Sequence, residues 1–279
     1  MRSRFNINNY SNLGQRAITA FVGALVIIVG SVYSDWAYFL IFASILGFSQ
    51  MEFYKLSGLD GMLPLKSFGT FMGLMIFCLT FMIQKEHLRT EYLYLIFPIV
   101  SLTFFIKLYK KTDKKPFTGV AFTFLGIFYV AVPISLLNLA VFAVDEVYNY
   151  EILIGCLLIL WATDTGAYFA GTRFGKTKLF ERVSPKKSWE GFLGGAFSAI
   201  LVAFVLAKYF LVIEDWKWLV IAGIIIIAGT YGDLIESLFK RSIEIKDSGK
   251  VLPGHGGFMD RFDGLLLSAP FITAFLKIF

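Results

Sequence analysis

The chain has 279 residues, of which 57% are hydrophobic and 16% charged, and its mean hydropathy is +0.70. Soluble domains carry about 25% charged residues, so one soluble globular fold is excluded, and the apolar content excludes disorder. Cys78 and Cys156 both sit in apolar runs, and His87 and His255 are the only histidines. A disulfide framework, a zinc-ligand spacing and a multi-histidine metal centre are all ruled out.

A hydrocarbon core about 30 Å thick takes about 20 apolar residues per crossing helix. Apolar runs predict nine such helices, near residues 17–33, 37–54, 68–83, 92–108, 120–144, 152–172, 192–213, 218–237 and 264–279. The expected fold is an all-α polytopic membrane protein. The first run follows Arg2, Arg4 and Arg16 without a small-residue cleavage site after it, so it reads as a retained span.

Numbering the connections alternately divides the charges unevenly. One face collects 21 Lys and Arg residues, including Lys107–Lys115, Arg173–Lys187 and Lys240–Arg261, against four on the other: Lys85, Arg89, Lys217 and Lys277. Cytoplasmic loops carry such an excess. The N-terminus is therefore expected in the cytoplasm of a cell inner or plasma membrane, and the C-terminus opposite. Residues 1–150 read as five scaffold spans with almost no buried charge, and residues 151–279 as a catalytic region with two cytoplasmic loops.

The acids of that second region are the informative feature. Asp164 and Asp233 both lie about 20 Å along spans that run inward, which places them at similar depth in the cytoplasmic third of the bilayer. An unpaired carboxylate there costs a few kcal/mol or more, so each needs a cation, a metal or water. At helical spacing Asp233, Glu236, Ser237 and Lys240 share one face.

Beyond them come Lys246, the glycine-rich Pro253–Gly254–His255–Gly256–Gly257, and Asp260–Arg261–Phe262–Asp263 opening the last span. Glycines let backbone approach a ligand closely, and a turn leading into a helix aims amides at an anion. Beside Asp260 and Asp263, this reads as a site for a metal-chelated polyphosphate. In the other loop, Ser184 before Pro185 predicts a helix N-cap. Lys186 and Lys187 read either as topology signals or as partners for phosphate.

The stretch Ser237-Leu-Phe-Lys-Arg-Ser-Ile-Glu-Ile-Lys-Asp-Ser-Gly-Lys-Val-Leu-Pro-Gly-His-Gly-Gly-Phe-Met-Asp-Arg-Phe-Asp263 resembles the signature of phosphatidate cytidylyltransferases, also called CDP-diacylglycerol synthases. Asp164 with Tyr168-Phe-Ala-Gly171, and Ser184-Pro-Lys-Lys-Ser-Trp-Glu-Gly191, are similar to other recurrent segments of that family. The resemblance implies an integral membrane enzyme that makes CDP-diacylglycerol and pyrophosphate from CTP and phosphatidic acid. It further implies a requirement for Mg2+, with Asp233 and Asp260 holding the metals.

In-line displacement at phosphorus commonly uses two divalent ions about 3.5–4 Å apart. A two-metal site is therefore expected, with Asp263, Asp164 and Glu236 either as auxiliary ligands or as groups that support the ligands from behind. Lys240, Arg241, Lys246 and Arg261 complete the expected catalytic group. Lys187, Ser184, Gly254, His255, Gly256 and Gly257 form the expected substrate-binding group. Expected partners are CTP, phosphatidic acid and membrane lipids, with no nucleic acid; Gly194 and Ser198 are compatible with close helix packing and a homodimer. A CTP-dependent polyprenol kinase is the nearest enzymatic alternative, and an ion-coupled transporter the nearest non-enzymatic one.

Overall fold

The computed structural model describes residues 12–58, 61, 63–111, 113–245 and 257–279. The chain enters through α1 (Asn12–Tyr33), α2 (Asp35–Ser57) and α3 (Lys66–Gln84). A 3-10 turn, Thr90–Leu95, leads into α4 (Ile96–Tyr109), and α5 (Pro116–Gly126) passes through a π turn into α6 (Val132–Val141). Then come α7 (Tyr150–Phe174), strands β1 (Lys178–Phe180) and β2 (Ser184–Ser188), and α8 (Trp189–Tyr209). A second π turn joins α9 (Asp215–Ile224) to α10 (Thr230–Ser242), and α11 (Asp263–Ile278) ends the chain.

Among the described residues, seven helical stretches are long and apolar enough to cross a membrane: Asp35–Ser57, Lys66–Gln84, Thr90–Tyr109, Pro116–Val141, Tyr150–Phe174, Trp189–Tyr209 and Asp215–Ser242. The first and last expected spans are helical but shorter, an apolar stretch Ile18–Tyr33 and the 16 residues of α11. Apolar side chains cover the outside of the bundle: Phe21, Val26 and Val29 on α1, Phe97 and Phe105 on α4, Leu193 and Phe197 on α8 are all exposed. Such a surface suits lipid. The core between helices includes Tyr38, Phe42, Phe77, Ile134, Leu153 and Trp218, all fully or almost fully buried.

Connections gather at two ends. At one, Lys85 pairs with Asp35, the Tyr148 hydroxyl donates to the Ser31 carbonyl at 2.9 Å, and Lys277 Nζ donates to the Phe142 carbonyl at 3.3 Å. At the other, Lys107 pairs with Asp113 and donates to the Leu63 carbonyl. That buried Lys107, together with buried Glu52 on α2, corrects the expectation of spans almost free of buried charge. Both are charges with nearby partners, which a hydropathy scan averages away.

Two local structures depart from the sequence expectation. The segment Ser184–Ser188 is a strand paired antiparallel with β1, with Lys178 opposite Ser188 and Phe180 opposite Ser184. Ser184 is therefore not a helix N-cap, and the fold is helical with one small hairpin. The cap is Ser188, whose Oγ accepts from Gly191 N at 3.2 Å. Glu190, in the first turn of α8, accepts from the amides of Lys176 and Thr177 at 3.1 Å and ties the hairpin to the helix. These bonds satisfy loop donors that a helix from Ser184 would leave unpaired, while Pro185 is tolerated because a two-stranded sheet has only edges.

The π turns are the second departure. Ile127–Ala131 precedes Pro133, whose ring cannot donate to the Tyr129 carbonyl one turn back and would collide with it. In Ile225–Gly229 the Thr230 hydroxyl bonds back to the Ile226 carbonyl at 2.7 Å, occupying an acceptor of the helical ladder. Both widen helices beside the acidic residues.

Candidate active site

The site starts from close helix crossings. Gly232 on α10 meets the start of α11; a Cβ there would lie 3.0 Å from Gly264 Cα. Real Cβ atoms rarely come that close to backbone, so glycine permits the crossing. It brings Asp233 beside Asp263. Likewise Gly195 on α8 lies against the Thr163 carbonyl of α7, where a Cβ would approach to 2.7 Å, and Gly194 and Ser198 face Gly166 and Ala170. These small residues thus pack α7 against α8 within one chain.

The polar face of α10 forms as its spacing predicts. Ser237 Oγ donates to Asp233 Oδ1 at 3.3 Å, and Lys240 Nζ to Glu236 Oε2 at 2.9 Å. Glu236 is 1% exposed, whereas Tyr231, Ile235 and Leu238 face outward. The helix is amphipathic in the sense a bilayer demands, with its acids turned to the bundle interior.

One ligand oxygen from each of Asp233, Glu236 and Asp263 lies within 4.8 Å of the other two. Glu236 Oε1 is buried with no hydrogen-bond partner among the described residues. Three hard oxygen donors converging beside an orphaned acceptor fit a divalent cation such as Mg2+ or Mn2+. This is a cluster that could hold metal.

Cations surround it. Lys187 Nζ, from β2, lies 2.6 Å from Asp233 Oδ2 and 3.4 Å from the Thr230 carbonyl, and the ring of Phe180 on β1 meets Tyr231 at 6.3 Å. The hairpin thereby delivers Lys187 to the acids. Lys240 reaches Asp260 Oδ1 at 3.4 Å as well as Glu236. Asp164, on α7, interacts electrostatically with Asp233, Asp263, Lys187 and Arg261.

Asp260 sits on a separate 3-10 turn, Met259–Arg261, while Asp263 opens α11. Asp260 is therefore held by Lys240 and lies within hydrogen-bonding reach of Glu236, next to the three-acid cluster. Arg241 points elsewhere, donating to the Ile245 carbonyl at 3.3 Å near the end of α10. Ser184 lies at the hairpin's far end from Lys187, and Gly257 is buried beside Phe258. Lys246, Gly254, His255 and Gly256 fall outside the described residues.

Two residues of the N-terminal half reach this region without having been singled out from sequence. Glu52 on α2 accepts from Phe258 N at 2.6 Å. Tyr129, on the first π turn, has a buried hydroxyl with no hydrogen-bond partner among the described residues and interacts electrostatically with Asp263, Glu236 and Asp233. An acid within a long apolar run is the signal that could have found Glu52; Tyr129 carries no signal beyond its proximity to Pro133.

Helices long and apolar enough to cross a membrane, enclosing a carboxylate cluster flanked by Lys187 and Lys240, describe a helical membrane protein with a candidate metal site. The sequence profile of the cytidylyltransferase family matches residues 14–279, and the chain belongs to that family of nucleotidyl-transferring enzymes. It is 36% identical over 171 residues to a phosphatidate cytidylyltransferase of Haemophilus influenzae, covering 58% of each chain. It is 35% identical over 181 residues to one of Staphylococcus epidermidis, covering 64% of this chain and 68% of the relative. A Staphylococcus aureus phosphatidate cytidylyltransferase is 34% identical over 182 residues, with the same coverage.

Proposed function

We propose that the chain is a phosphatidate cytidylyltransferase: a phosphate oxygen of phosphatidic acid attacks the α-phosphorus of CTP, giving CDP-diacylglycerol and releasing pyrophosphate. The observation that carries this reading is the convergence of Asp233, Glu236 and Asp263 within 4.8 Å, flanked by Lys187 and Lys240. The names of its relatives support the same reaction.

The nucleophile needs no general base, since a phosphomonoester with a second pKa near 6 is largely ionised at neutral pH. The protein's task is to bring two anions together and to accept charge on the leaving pyrophosphate. Asp233, Glu236, Asp263 and Asp260 would hold Mg2+, with Asp164 nearby; two ions are the reading the chemistry favours. Bound there, the cations neutralise phosphate charge. Lys187 and Lys240 pair with acids in the resting site and can turn to phosphate oxygens as substrate enters; Arg261 adds a third cation.

The alternation of loops and the charge asymmetry support nine spans, with the N-terminus and the site facing the cytoplasm. CTP would then arrive from water and phosphatidic acid laterally from the bilayer. The test is incubation of purified protein with labelled CTP, phosphatidic acid and Mg2+, with and without chelator. CDP-diacylglycerol and pyrophosphate should form in equal amounts and vanish with chelator. CDP as the nucleotide product would instead indicate phosphoryl transfer by a lipid kinase and overturn the proposal.

A further inference from the structure

Glu52 lies near one end of α2, in the half of the chain that carries none of the clustered acids, and it is only 5% exposed. A carboxylate buried on a membrane helix is costly and needs a compensating partner. It has one across 206 positions of sequence: Phe258 N donates to Glu52 Oε2 at 2.6 Å. A backbone amide donating to a carboxylate oxygen makes a charge-assisted hydrogen bond, among the stronger kinds that backbone amides make. One helical turn earlier, Phe48 meets the ring of Phe258 with centroids 5.3 Å apart. Residue 258 is therefore gripped twice by one face of α2, by its amide and by its ring. Met259 follows, fully buried, and Asp260 comes next, contacting Lys240.

We propose that Glu52 is a positioning residue that fixes the Met259–Arg261 turn through the Phe258 amide, and so holds Asp260 at the acidic site. Glu52 is not among the three acids whose oxygens converge, so it acts through the backbone and not as a metal ligand. Its effect on metal and turnover rests on the cytidylyl-transfer reading above; its effect on the backbone does not. Partners that orient ligands, when lost, commonly cost 10–100-fold in metal affinity.

The test compares the full-length protein in lipid nanodiscs with Glu52→Ala and Glu52→Gln. Hydrogen–deuterium exchange is read on peptides spanning 257–262, alongside the Mg2+ concentration giving half-maximal turnover. In Glu52→Ala the Phe258 amide should exchange at least about tenfold faster, with α11 peptides unchanged, and half-saturation should move up by about 10–100-fold. Glu52→Gln keeps an acceptor oxygen and should restore most of both.

Unchanged exchange at Phe258 in Glu52→Ala would overturn the proposal, as would faster exchange throughout the protein in both variants. Loss of Mg2+ affinity in Glu52→Gln with Phe258 still protected would also overturn it, pointing to a charge effect. If wild-type protein makes no CDP-diacylglycerol, the proposed reaction fails while the exchange comparison still decides the role of Glu52.

Discussion

Two lysine–aspartate pairs sit in different corners of the molecule and have opposite characters. At the α4–α5 corner, Lys107 and Asp113 have side chains 2% and 3% exposed, and the Lys107 ammonium also donates to the Leu63 carbonyl. At the corner where the hairpin meets α10, Lys187 and Asp233 are 25% and 45% exposed and lie beside the other acids of the cluster. The first pair is satisfied by its own partners and acts as a clasp. The second is reachable, and its aspartate belongs to a group with more negative charge than the lysine can balance. Satisfied charge marks structure here, and unbalanced but accessible charge marks chemistry.

Substitutions at the two corners should therefore fail in different ways. The largest effect on turnover is expected at the open corner: Asp233→Asn, and separately Asp260→Asn, should each lower cytidylyl transfer more than about 100-fold. Both variants should still insert into membrane and give a single monodisperse peak in detergent. Near-wild-type turnover in either would erase the distinction between the corners. Lys187→Met should come next, with a loss of about 10–100-fold, the scale of removing one group that orients a charged site. Because Lys187 faces Asp233 and arriving phosphate alike, the loss should appear in kcat/KM for CTP with melting temperature little changed.

Tyr129→Phe should be milder, about tenfold or less in turnover, since it removes one hydrogen-bond donor and keeps the ring against Phe53. A null result would leave that hydroxyl without a part in the site.

At the closed corner the order reverses. Asp113→Asn should leave turnover nearly intact while lowering the melting temperature, because a lysine buried without its partner is destabilising. The Lys107 ammonium beside Asp113 holds its carboxyl below the usual carboxylate range. A lowered folded-state pKa stabilises the protein above the unfolded value and loses that contribution as pH falls through the folded one. The gap in melting temperature between wild type and Asp113→Asn should thus be full near neutral pH. It should close only in strong acid, below the ordinary aspartate pKa of about 3.9. A gap that closed between pH 5 and 7 would contradict the clasp.

Much of this was legible in the sequence because lipid imposes a simple rule. Apolar runs of crossing length must be helices, and the segments 92–108 and 152–172 fall within the helical stretches Thr90–Tyr109 and Tyr150–Phe174. The acidic face of α10 followed from i, i+3 and i+4 spacing alone. What escaped were features set by contacts distant in sequence. The hairpin depends on Glu190 taking the amides of Lys176 and Thr177, a choice that the local Ser184–Pro185 signal cannot reveal. The meeting of Glu52 with Phe258 joins opposite ends of the chain. The π turn that carries Tyr129 follows from Pro133, yet the side to which the hydroxyl turns depends on where α10 and α11 cross. All of these acids were candidates in the sequence, but that Glu236 and Asp263 converge on Asp233 while Asp260 sits on a separate turn needed the glycine crossing at Gly232.

On the proposed reading, these carboxylates hold divalent cations. The most direct measurement is Mn2+ binding by electron paramagnetic resonance to purified protein without substrate, for wild type, Asp233→Asn and Asp113→Asn. Saturable binding in wild type and Asp113→Asn, with loss in Asp233→Asn, is the predicted result. Equal Mn2+ binding by all three proteins, or by none, would contradict it.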